Sequence, residues 1–468
     1  MQRVNKIDLA IRNGKICTPK GSFAADIAVR DGKIVATGAG DCFPPADKTI
    51  DAAGLCVLPG LWHTHCHFRE PGHTNKEDFS SGSKAAAAGG ITFFLDMTNN
   101  TPHPTTLESF QLKLDRVRGK SYLDFGLYGA GLYPQEVPKL AKAGAIGIKI
   151  FNTRHIKEVY PYISELGVVD HGLLYELYEA VAQTGLVCTV HHDDSEWCKR
   201  MTFRDFIDKG KVDNKAYMEA YQRGYMYGHG MVAGLAASLY YARIAKVPLY
   251  VLHLGVMPVG AYEIVRHAKV DLGQRVYAEL EAASMLMTRE QADKVGPYTY
   301  VWAHSPEYGW ESLKNGITDV IVAEHAPHAR DEVEPGWIDN FSVPLGITGA
   351  QEFVPLMLTK VNEGKLTLED LAGFCSENPA KVFGLYPGKG AIQVNSDADF
   401  TIVDMDARKV LTASDMHSKT GITSWEGMEV KGLPVYTIVR GEVVMEYGKI
   451  VVAPGFGRFV PGSAAKRQ

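Results

Sequence analysis

The chain has 468 residues, of which 46% are hydrophobic and 22% are charged, as in ordinary soluble globular proteins. Its net charge of −5 gives no electrostatic basis for binding nucleic acid or an anionic membrane. No apolar run reaches the roughly 20 residues of a membrane helix, and the first residues lack the apolar core of a signal peptide. The seven cysteines are scattered, odd in number and without a CxxC pair, which argues against a disulfide scaffold and indicates a cytoplasmic protein.

Both ends of the chain have the pattern of short β-strands. Residues 1–57 and 390–468 contain the following runs of mostly apolar residues: Ile7–Ile16, Asp26–Ala36, Gly54–Leu58, Ala398–Asp404, Val435–Val439 and Glu442–Ile450. Asn13-Gly14 and Asp31-Gly32 lie inside two of these runs, and such pairs favour the type I′ turn of a β-hairpin. A segment of roughly 60 residues makes a thin core by itself. We therefore expect the two ends to form halves of one small β-sandwich domain.

Between the two ends, residues 58–389 alternate apolar strand candidates with helix-prone stretches. The strand candidates are Leu61–Phe68, Ile91–Met97, Asp124–Ala130, Ala145–Phe151, Leu186–His191, Pro248–Leu254, Arg275–Leu280 and Asp319–Glu324. This alternation is typical of βαβ units, and eight strands over this length predict an α/β fold, a (β/α)8 TIM-like barrel with insertions. A doubly wound open sheet is the alternative, but no GxGxxG fingerprint follows an early strand.

Residue types that bind metals stand near the C-terminal ends of the predicted strands, where barrels carry their active sites. His65 and His67 end the first strand, and side chains two residues apart on a strand share one face. The further donors are Lys149 on strand four, His191 on strand five, His253 on strand six and Glu324 on strand eight. A single histidine at a strand end is more often a core residue than a ligand. Donors from several strands at one rim predict a metal centre.

Lys149 is unusual because it lies inside the apolar strand Ala145–Phe151. Burying a charged amine is costly, so its pKa should fall or it should find a charged partner. One interpretation is a lysine whose stem is buried while its head group reaches the solvent at the rim. The other is a neutral amine that reacts with carbon dioxide, so that the resulting carbamate bridges two cations.

Taken in order along the chain, the motifs HTHCHFREPG, AAAAGGITFFLDM, GIKIF, VHHDD, VLHLG and EHAPH resemble those of the cyclic amidohydrolases of the amidohydrolase superfamily. This group comprises dihydroorotases, allantoinases, hydantoinases and dihydropyrimidinases. The resemblance implies a hydrolase that opens the ring of a cyclic amide, ureide or imide by attack of a metal-bridged hydroxide. It also implies a homodimer or homotetramer whose partner is a small-molecule substrate.

The resemblance further implies a centre of two divalent ions, usually Zn2+, with Mn2+ or Co2+ as alternatives. One ion would be held by His65, His67, Glu324 and Lys149 as N6-carboxylysine, and the other by Lys149, His191 and His253. Two such cations lower the pKa of a bridging water to about 7 or below. Glu324 would take the proton of the attacking water and pass it to the leaving nitrogen.

Four features depart from the pattern of these relatives. Glu324 stands where most members have Asp, and a displacement of roughly one C–C bond can cost about 100-fold in rate when nothing compensates. His63 also replaces an Asp, the strand-seven segment Ala278–Ser284 lacks a Pro-His pair, and the segment Ala303–Tyr308 is short. A non-catalytic scaffold protein of the same superfamily is therefore the alternative. Retention of the five histidine and lysine ligands favours an enzyme.

Three polar residues near the rim bear on the substrate. In dihydroorotases an Arg after the HxH pair, an Asn after strand two and the last His of the strand-eight motif hold the substrate carboxylate. Arg69, Asn99 and His328 match these positions. The planar fork of arginine suits a carboxylate, so we expect a substrate with an acidic group. A structural ion pair of Arg69 with Glu70 or Glu77 is the alternative.

Three other segments are interpreted through the same resemblance. His304, in the segment before strand eight, is a further candidate for substrate binding. Residues Asn152–Gly167, which include His155, are predicted to form a lid because relatives cover the ring substrate with this region. The tail from residue 454 to residue 468 resembles hydantoinase tails that reach a neighbouring subunit, and a flexible end is the alternative.

Overall fold

The computed structural model of the protein describes residues 6–39, 43–153 and 165–466. The strands within these residues are β1 (Ile7–Arg12), β2 (Lys15–Thr18), β3 (Gly21–Ala24), β4 (Asp26–Arg30), β5 (Lys33–Gly38), β6 (Ala46–Asp51), β7 (Cys56–Pro59), β8 (Leu61–Cys66), β9 (Ile91–Asp96), β10 (Asp124–Leu127), β11 (Gly129–Ala130), β12 (Ile148–Asn152), β13 (Cys188–His192), β14 (Leu249–Val251), β15 (Val276–Glu281), β16 (Val320–Val322), β17 (Phe400–Val410), β18 (Glu429–Val439), β19 (Glu442–Glu446) and β20 (Lys449–Ile450). The α-helices are α1 (Phe79–Ala88), α2 (Leu107–Val117), α3 (Val137–Ala143), α4 (His171–Thr184), α5 (Ser195–Asp205), α6 (Asn214–Gln222), α7 (His229–Ala245), α8 (Val259–Arg266), α9 (Ala282–Leu286), α10 (Arg289–Val295), α11 (Pro306–Lys314), α12 (Arg330–Val333), α13 (Phe353–Asn362), α14 (Leu368–Ala372) and α15 (Asn378–Val382). None of the described helices is long and apolar enough to cross a membrane.

The two chain ends form a pair of packed β-sheets. One sheet has the order β5-β4-β1-β6 and comes from the start of the chain alone. The other has the order β20-β19-β18-β17-β7-β2-β3 and joins both ends, because β17 pairs antiparallel with β7. Apolar side chains from both sheets form one core, which includes Leu9, Val29, Phe400 and Ile438. The predicted β-sandwich built from both chain ends is therefore confirmed.

The two hairpin turns predicted in the first segment have different outcomes. Asp31-Gly32 joins β4 to β5 as a two-residue loop, and both residues have the positive φ (50° and 72°) of a type I′ turn. The hairpin predicted at Asn13-Gly14 is wrong, because β1 pairs with β4 and β6 whereas β2 pairs with β3 and β7. The backbone N–H of Asn13 donates to Asp26 Oδ1 (2.8 Å), and the chain passes here from one sheet to the other.

The middle of the chain forms a barrel of eight parallel strands. The pairing runs from β8 through β9 to β10 and from β11 through to β16, and β10 and β11 are two pieces of one strand interrupted at Tyr128. The barrel closes where the ends of β8 and β16 meet. There the backbone N–H of His67 donates to His325 O (2.8 Å), and that of His325 donates to His65 O (3.2 Å). The predicted (β/α)8 barrel is confirmed.

Large apolar side chains fill the barrel below its C-terminal rim. β8, β9, β12 and β13 are buried at every position, as expected for parallel strands covered on both faces. Trp62, Tyr128 and Tyr250 belong to the interior cluster. Phe383, which follows α15, packs against Tyr128 and Tyr250 with ring centroids 5.8 and 5.5 Å apart. The polar side chains at the strand ends therefore face the opposite, C-terminal rim.

The described part of the C-terminal tail packs against the barrel of its own chain. Phe459 forms an isolated parallel bridge with Phe125 of β10, and the two rings are 5.9 Å apart. The backbone N–H of Gly457 donates to Ser121 O (2.9 Å). The described tail residues are thus docked on their own barrel, because the aromatic side chain of Phe459 finds an apolar partner there, and the reach toward a neighbouring subunit stays a prediction.

Candidate metal centre and substrate site

The predicted metal ligands meet at the C-terminal rim of the barrel. Three of them lie on strands: His65 on β8, Lys149 on β12 and His191 on β13. The other three follow a strand within two residues: His67 after β8, His253 after β14 and Glu324 after β16. Each of them has at most 8% of its surface exposed. The ring centroids of His65 and His67 are 5.2 Å apart, and the ring of His253 lies 4.9 Å from that of His65 and from that of His191. Side chains from five strands therefore converge on one buried spot.

Nitrogen and oxygen atoms in this cluster lie close enough to share metal ions. Three overlapping groups have their donor atoms within 4.8 Å of one another: His65, His67 and Glu324; His65, His253 and Glu279; His253, Glu281 and Glu324. Among the described residues, His67 Nδ1 is buried without a hydrogen-bond partner. Buried polar atoms without partners are costly, and imidazole and carboxylate are ligands of zinc. The donor set therefore fits bound divalent cations.

Lys149 lies in β12, where its neighbours across the sheet are Ala130 and Thr189. Its side chain is 1% exposed, and Nζ lies 4.3 Å from the centroid of the Phe151 ring. The interpretation of a head group that reaches solvent is therefore wrong. Burial lowers the pKa of Lys149 to about 7, although nearby carboxylates oppose this shift.

Glu324 is held in place by two contacts. The Tyr300 hydroxyl donates a hydrogen bond to Glu324 Oε2, and His253 Nδ1 lies 3.5 Å from the same oxygen. Burial disfavours the ionised carboxylate, but His253, His65 and the Tyr300 hydroxyl outweigh it and hold the pKa of Glu324 below its usual range. Tyr300 was not predicted from the sequence, where it is one of several tyrosines without a motif.

Strand β15 contributes two buried acids that the sequence analysis did not assign to the site. Glu279 Oε1 lies 2.6 Å from His65 Nδ1, and Glu281 Oε1 lies 3.2 Å from His253 Nδ1. Both side chains are at most 1% exposed. The signal was present in the sequence, because two acids separated by one residue inside an apolar strand must point the same way. The same reasoning had identified His65 and His67.

A cationic corner lies beside the metal ligands and contains two of the predicted substrate contacts. Arg69 Nη2 lies 3.1 Å from His328 Nε2, and Arg69 Nε donates to Pro327 O (3.1 Å). Lys76, which the sequence analysis had not selected, has its Nζ 3.3 Å from His328 Nδ1 and 2.8 Å from Glu332 Oε1. Arg69 and Lys76 are 7% and 5% exposed, so two cations are gathered in a nearly closed space.

The alternative role for Arg69, an ion pair with Glu70 or Glu77, is not among the contacts of the described residues. Glu70 forms an ion pair with Lys120 and accepts from the backbone N–H of Phe79 (3.1 Å). Glu77 accepts a hydrogen bond from Ser418 Oγ (2.5 Å) and lies against His325. Both acids are therefore engaged with other partners.

The remaining substrate candidates differ in position. Asn99 follows β9 at the rim, and its Oδ1 is buried without a hydrogen-bond partner among the described residues, so it can receive a ligand donor. Asn100, by contrast, is held by Lys113. His304 is half-buried away from the cluster: its Nδ1 lies 3.0 Å from Ser305 Oγ, and its ring packs near Tyr221. The described contacts do not bring His304 to the metal ligands.

Two other features of the sequence analysis have distinct outcomes. His63 is fully buried, and its Nδ1 accepts a long hydrogen bond (3.4 Å) from the backbone N–H of His65. Burial holds the pKa of His63 well below its usual value, which favours the neutral ring, and His63 is not part of the donor groups found among the described residues. Most of the predicted lid, including His155, lies outside the described residues.

A barrel that gathers metal donors at its C-terminal rim has the arrangement that metal-assisted hydrolysis requires, with the donors at the face where barrels carry their active sites. The chain belongs to the amidohydrolase family, whose sequence profile matches residues 56–256 and 280–444. This membership confirms the resemblance inferred from the motifs and implies a centre of two divalent metal ions.

Individual relatives match over nearly their full length. An L-hydantoinase of Paenarthrobacter aurescens is 35% identical over 463 residues, which are 97% of this chain and 98% of that protein. A dihydroorotase of Methanosarcina acetivorans is 29% identical over 98% of this chain and 97% of its own length. The solved structure of an L-hydantoinase (dihydropyrimidinase) from Arthrobacter aurescens superposes with a TM-score of 0.90 at 33% identity and covers 97% of this chain and 100% of its own.

Proposed function

We propose that this protein is a metal-dependent hydrolase that opens the ring of a cyclic amide, ureide or imide. The observation that carries the proposal is the convergence of four histidines, a lysine and Glu324 on one buried rim. A non-catalytic scaffold has no need of so many buried donors, each of which is costly without a ligand. The relatives named L-hydantoinase and dihydroorotase support an enzyme of the same kind.

The rim residues would hold two divalent ions. Zn2+ is the expected metal for both, and Mn2+ and Co2+ are the alternatives. His65, His67 and Glu324 would hold the first ion, His191 and His253 the second, and Lys149 both. Lys149 would do so as N6-carboxylysine: its neutral amine forms a C–N bond to carbon dioxide and loses one proton, which gives an anionic carbamate. The burial and lowered pKa of its amine support this modification. When bound, the ions lower the pKa of a shared water to about 7 and polarise the ring carbonyl.

Glu324 would carry the proton. Its carboxylate accepts a proton from the attacking water and delivers it to the ring nitrogen as the C–N bond breaks. The longer side chain of Glu, compared with the Asp of most relatives, is restrained by Tyr300 and His253. These contacts supply the compensation that a displaced carboxylate needs.

The substrate would carry an acidic group that binds in the cationic corner. Arg69, Lys76 and His328 meet there, and burial together with the charge of Arg69 holds the pKa of His67 well below its usual value. The guanidinium of Arg69 can donate two parallel hydrogen bonds to a carboxylate. Asn99 Oδ1 would accept from the ring, and His304 would line the outer mouth of the site.

Ring opening of a substrate panel tests this proposal. The zinc-loaded protein would be given dihydroorotate, hydantoins with and without a carboxylate side chain, dihydropyrimidines, allantoin and cyclic imides. We expect turnover, with acidic rings preferred over matched neutral rings by more than about tenfold because of the charge-assisted contacts. Absence of turnover on every ring by the metal-loaded protein would contradict the proposal.

The quaternary structure and location belong to the same proposal. A homodimer or homotetramer is supported by Tyr240 and Ile244 of α7, which are 55% and 47% exposed at the surface. Analytical ultracentrifugation would measure the assembly.

The six described cysteines are all free thiols, which supports a reducing compartment such as the cytoplasm.

A further inference from the structure

Strand β15 carries two buried acids on one face at the metal rim. Glu279 and Glu281 are two residues apart, so their side chains point the same way. Glu279 Oε1 lies 2.6 Å from His65 Nδ1, and Glu281 Oε1 lies 3.2 Å from His253 Nδ1. Each of the two proposed ions therefore has one histidine ligand with a β15 carboxylate behind it.

The Glu281 carboxylate is fixed from its other side. Its Oε2 accepts a hydrogen bond from the backbone N–H of Gly255 (3.2 Å), in the turn that follows His253. A Cβ at Gly255 would lie 2.0 Å from Ser284 Oγ and 2.7 Å from Glu281 Oε2, so only glycine fits here. Ser284 Oγ in turn donates to Glu281 O (2.7 Å). The carboxylate is thus held by the turn that follows His253, and the backbone carbonyl of Glu281 is tied to the first turn of α9.

The orientation of His253 leaves one ring nitrogen for a metal ion. A histidine ligand commonly binds the metal through one nitrogen and donates the other N–H to a carboxylate, which sets its tautomer and ring orientation. His253 Nδ1 lies 3.2 Å from Glu281 Oε1 and 3.5 Å from Glu324 Oε2. Glu324 is assigned to the first ion, so Glu281 is the carboxylate that remains for Nδ1. His253 Nε2 is then the nitrogen available to the second ion.

We propose that Glu281 is the positioning residue of the second metal ion and acts through His253. The inference rests on the proposed function, since it requires an ion held by His191 and His253. Loss of a carboxylate in this role typically weakens metal binding about 10- to 100-fold. A purely structural role in the turn before α9 would instead lower stability without a selective loss of one ion.

Glu281→Ala and Glu281→Gln test the proposal, with Glu352→Gln as a control. Glu352 is a buried acid that hydrogen-bonds Thr348 and Thr423 away from the donor groups. Each protein is equilibrated with graded Zn2+ and its bound metal counted by plasma mass spectrometry, while Co2+ absorption spectra report ligand geometry. We expect Glu281→Ala to bind the first ion as the parent does and the second about 10- to 100-fold more weakly. Glu281→Gln should be intermediate, and the control unchanged.

A matched background separates the second ion from other effects. In His253→Ala, which lacks the ligand through which Glu281 is proposed to act, the further change Glu281→Ala should alter metal affinity less than about twofold. A further fall of about tenfold in that background would overturn the proposal. Parent-like binding and spectra in both Glu281 variants, or equal weakening of both ions, would also overturn it. If the Ala variant fails to fold, the near-isosteric Gln variant decides.

The same titration distinguishes failure of this inference from failure of the proposed function. Two ions in the parent chain and two equally tight ions in the Glu281 variants would contradict only the role of Glu281. A parent chain that binds no metal at any concentration would contradict the proposed function itself, and this inference with it.

Discussion

Glu324 is one methylene longer than the aspartate usual in its relatives, and two neighbours hold it. The Tyr300 hydroxyl and His253 Nδ1 both meet Oε2. The motif EHAPH identified this acid from the sequence, but nothing local in the sequence indicated Tyr300. That residue lies 24 positions earlier, between α10 and α11, and its contact with Glu324 depends on the path of that segment in the folded chain.

Removal of the Glu324 charge should abolish most of the turnover. Glu324→Gln is expected to lower kcat about 100- to 10,000-fold, because the amide cannot accept the proton of the attacking water. Steady-state kinetics of ring opening measure the effect. Tyr300→Phe, which removes only the supporting hydrogen bond, should cost about tenfold. An unchanged kcat in Glu324→Gln would show that another group is the base.

Replacement of Arg69 should separate acidic from neutral substrates. Arg69→Met is expected to lower kcat/KM for a ring with a carboxylate about 10- to 100-fold, because charge-assisted hydrogen bonds are lost. The effect on a matched neutral ring should stay below about threefold. Arg330→Met, at an exposed arginine on α12, serves as the control. Equal losses on both substrates would eliminate the carboxylate-binding role.

The elements of the barrel were predictable because each strand is buried on both faces and reads as an apolar run. All eight predicted strands are present, although most are shorter than the apolar runs, since the first and last residues of a run can pack without joining the ladder. The Asn13-Gly14 corner was not predictable, because a residue pair that supplies positive φ serves a hairpin and a sheet-to-sheet turn equally well. Which strands it connects depends on partners far along the chain.

Docking of the C-terminal tail should depend on one aromatic side chain. Phe459 packs against Phe110 and Phe125 (ring centroids 6.5 and 5.9 Å apart). Phe459→Ala removes these contacts, which we expect to cost about 1–3 kcal/mol of local stability. The tail should then be cleaved several-fold faster in limited proteolysis. Val451→Ala, at a side chain already 52% exposed, should leave the cleavage rate unchanged. Equal rates in both variants would contradict this account of the tail.

At the scale of the whole molecule, the two ends of the chain share one sheet, and the barrel is built from the residues between them. This arrangement was predictable from composition and turn patterns at both ends together with the length of the middle segment. The division at residues 57 and 389 stays a prediction. The clustering at the rim was predictable for candidate ligands that stand near strand ends, such as His65 and His191. The spacing of Glu279 and Glu281 was visible as well, but their contacts with His65 and His253 on other strands were not, because those contacts depend on the closed barrel.

Elemental analysis of the protein grown with added zinc tests the central claim, a centre of two metal ions, most directly. The account predicts about two zinc ions per chain in the parent protein. Lys149→Ala, which removes the shared ligand, should retain about one ion or fewer and lose ring opening. Reconstitution of the chelated parent with Zn2+ should restore both metal and activity. A parent chain that carries no transition metal under these conditions, or a Lys149→Ala variant that keeps both ions and full turnover, would contradict it.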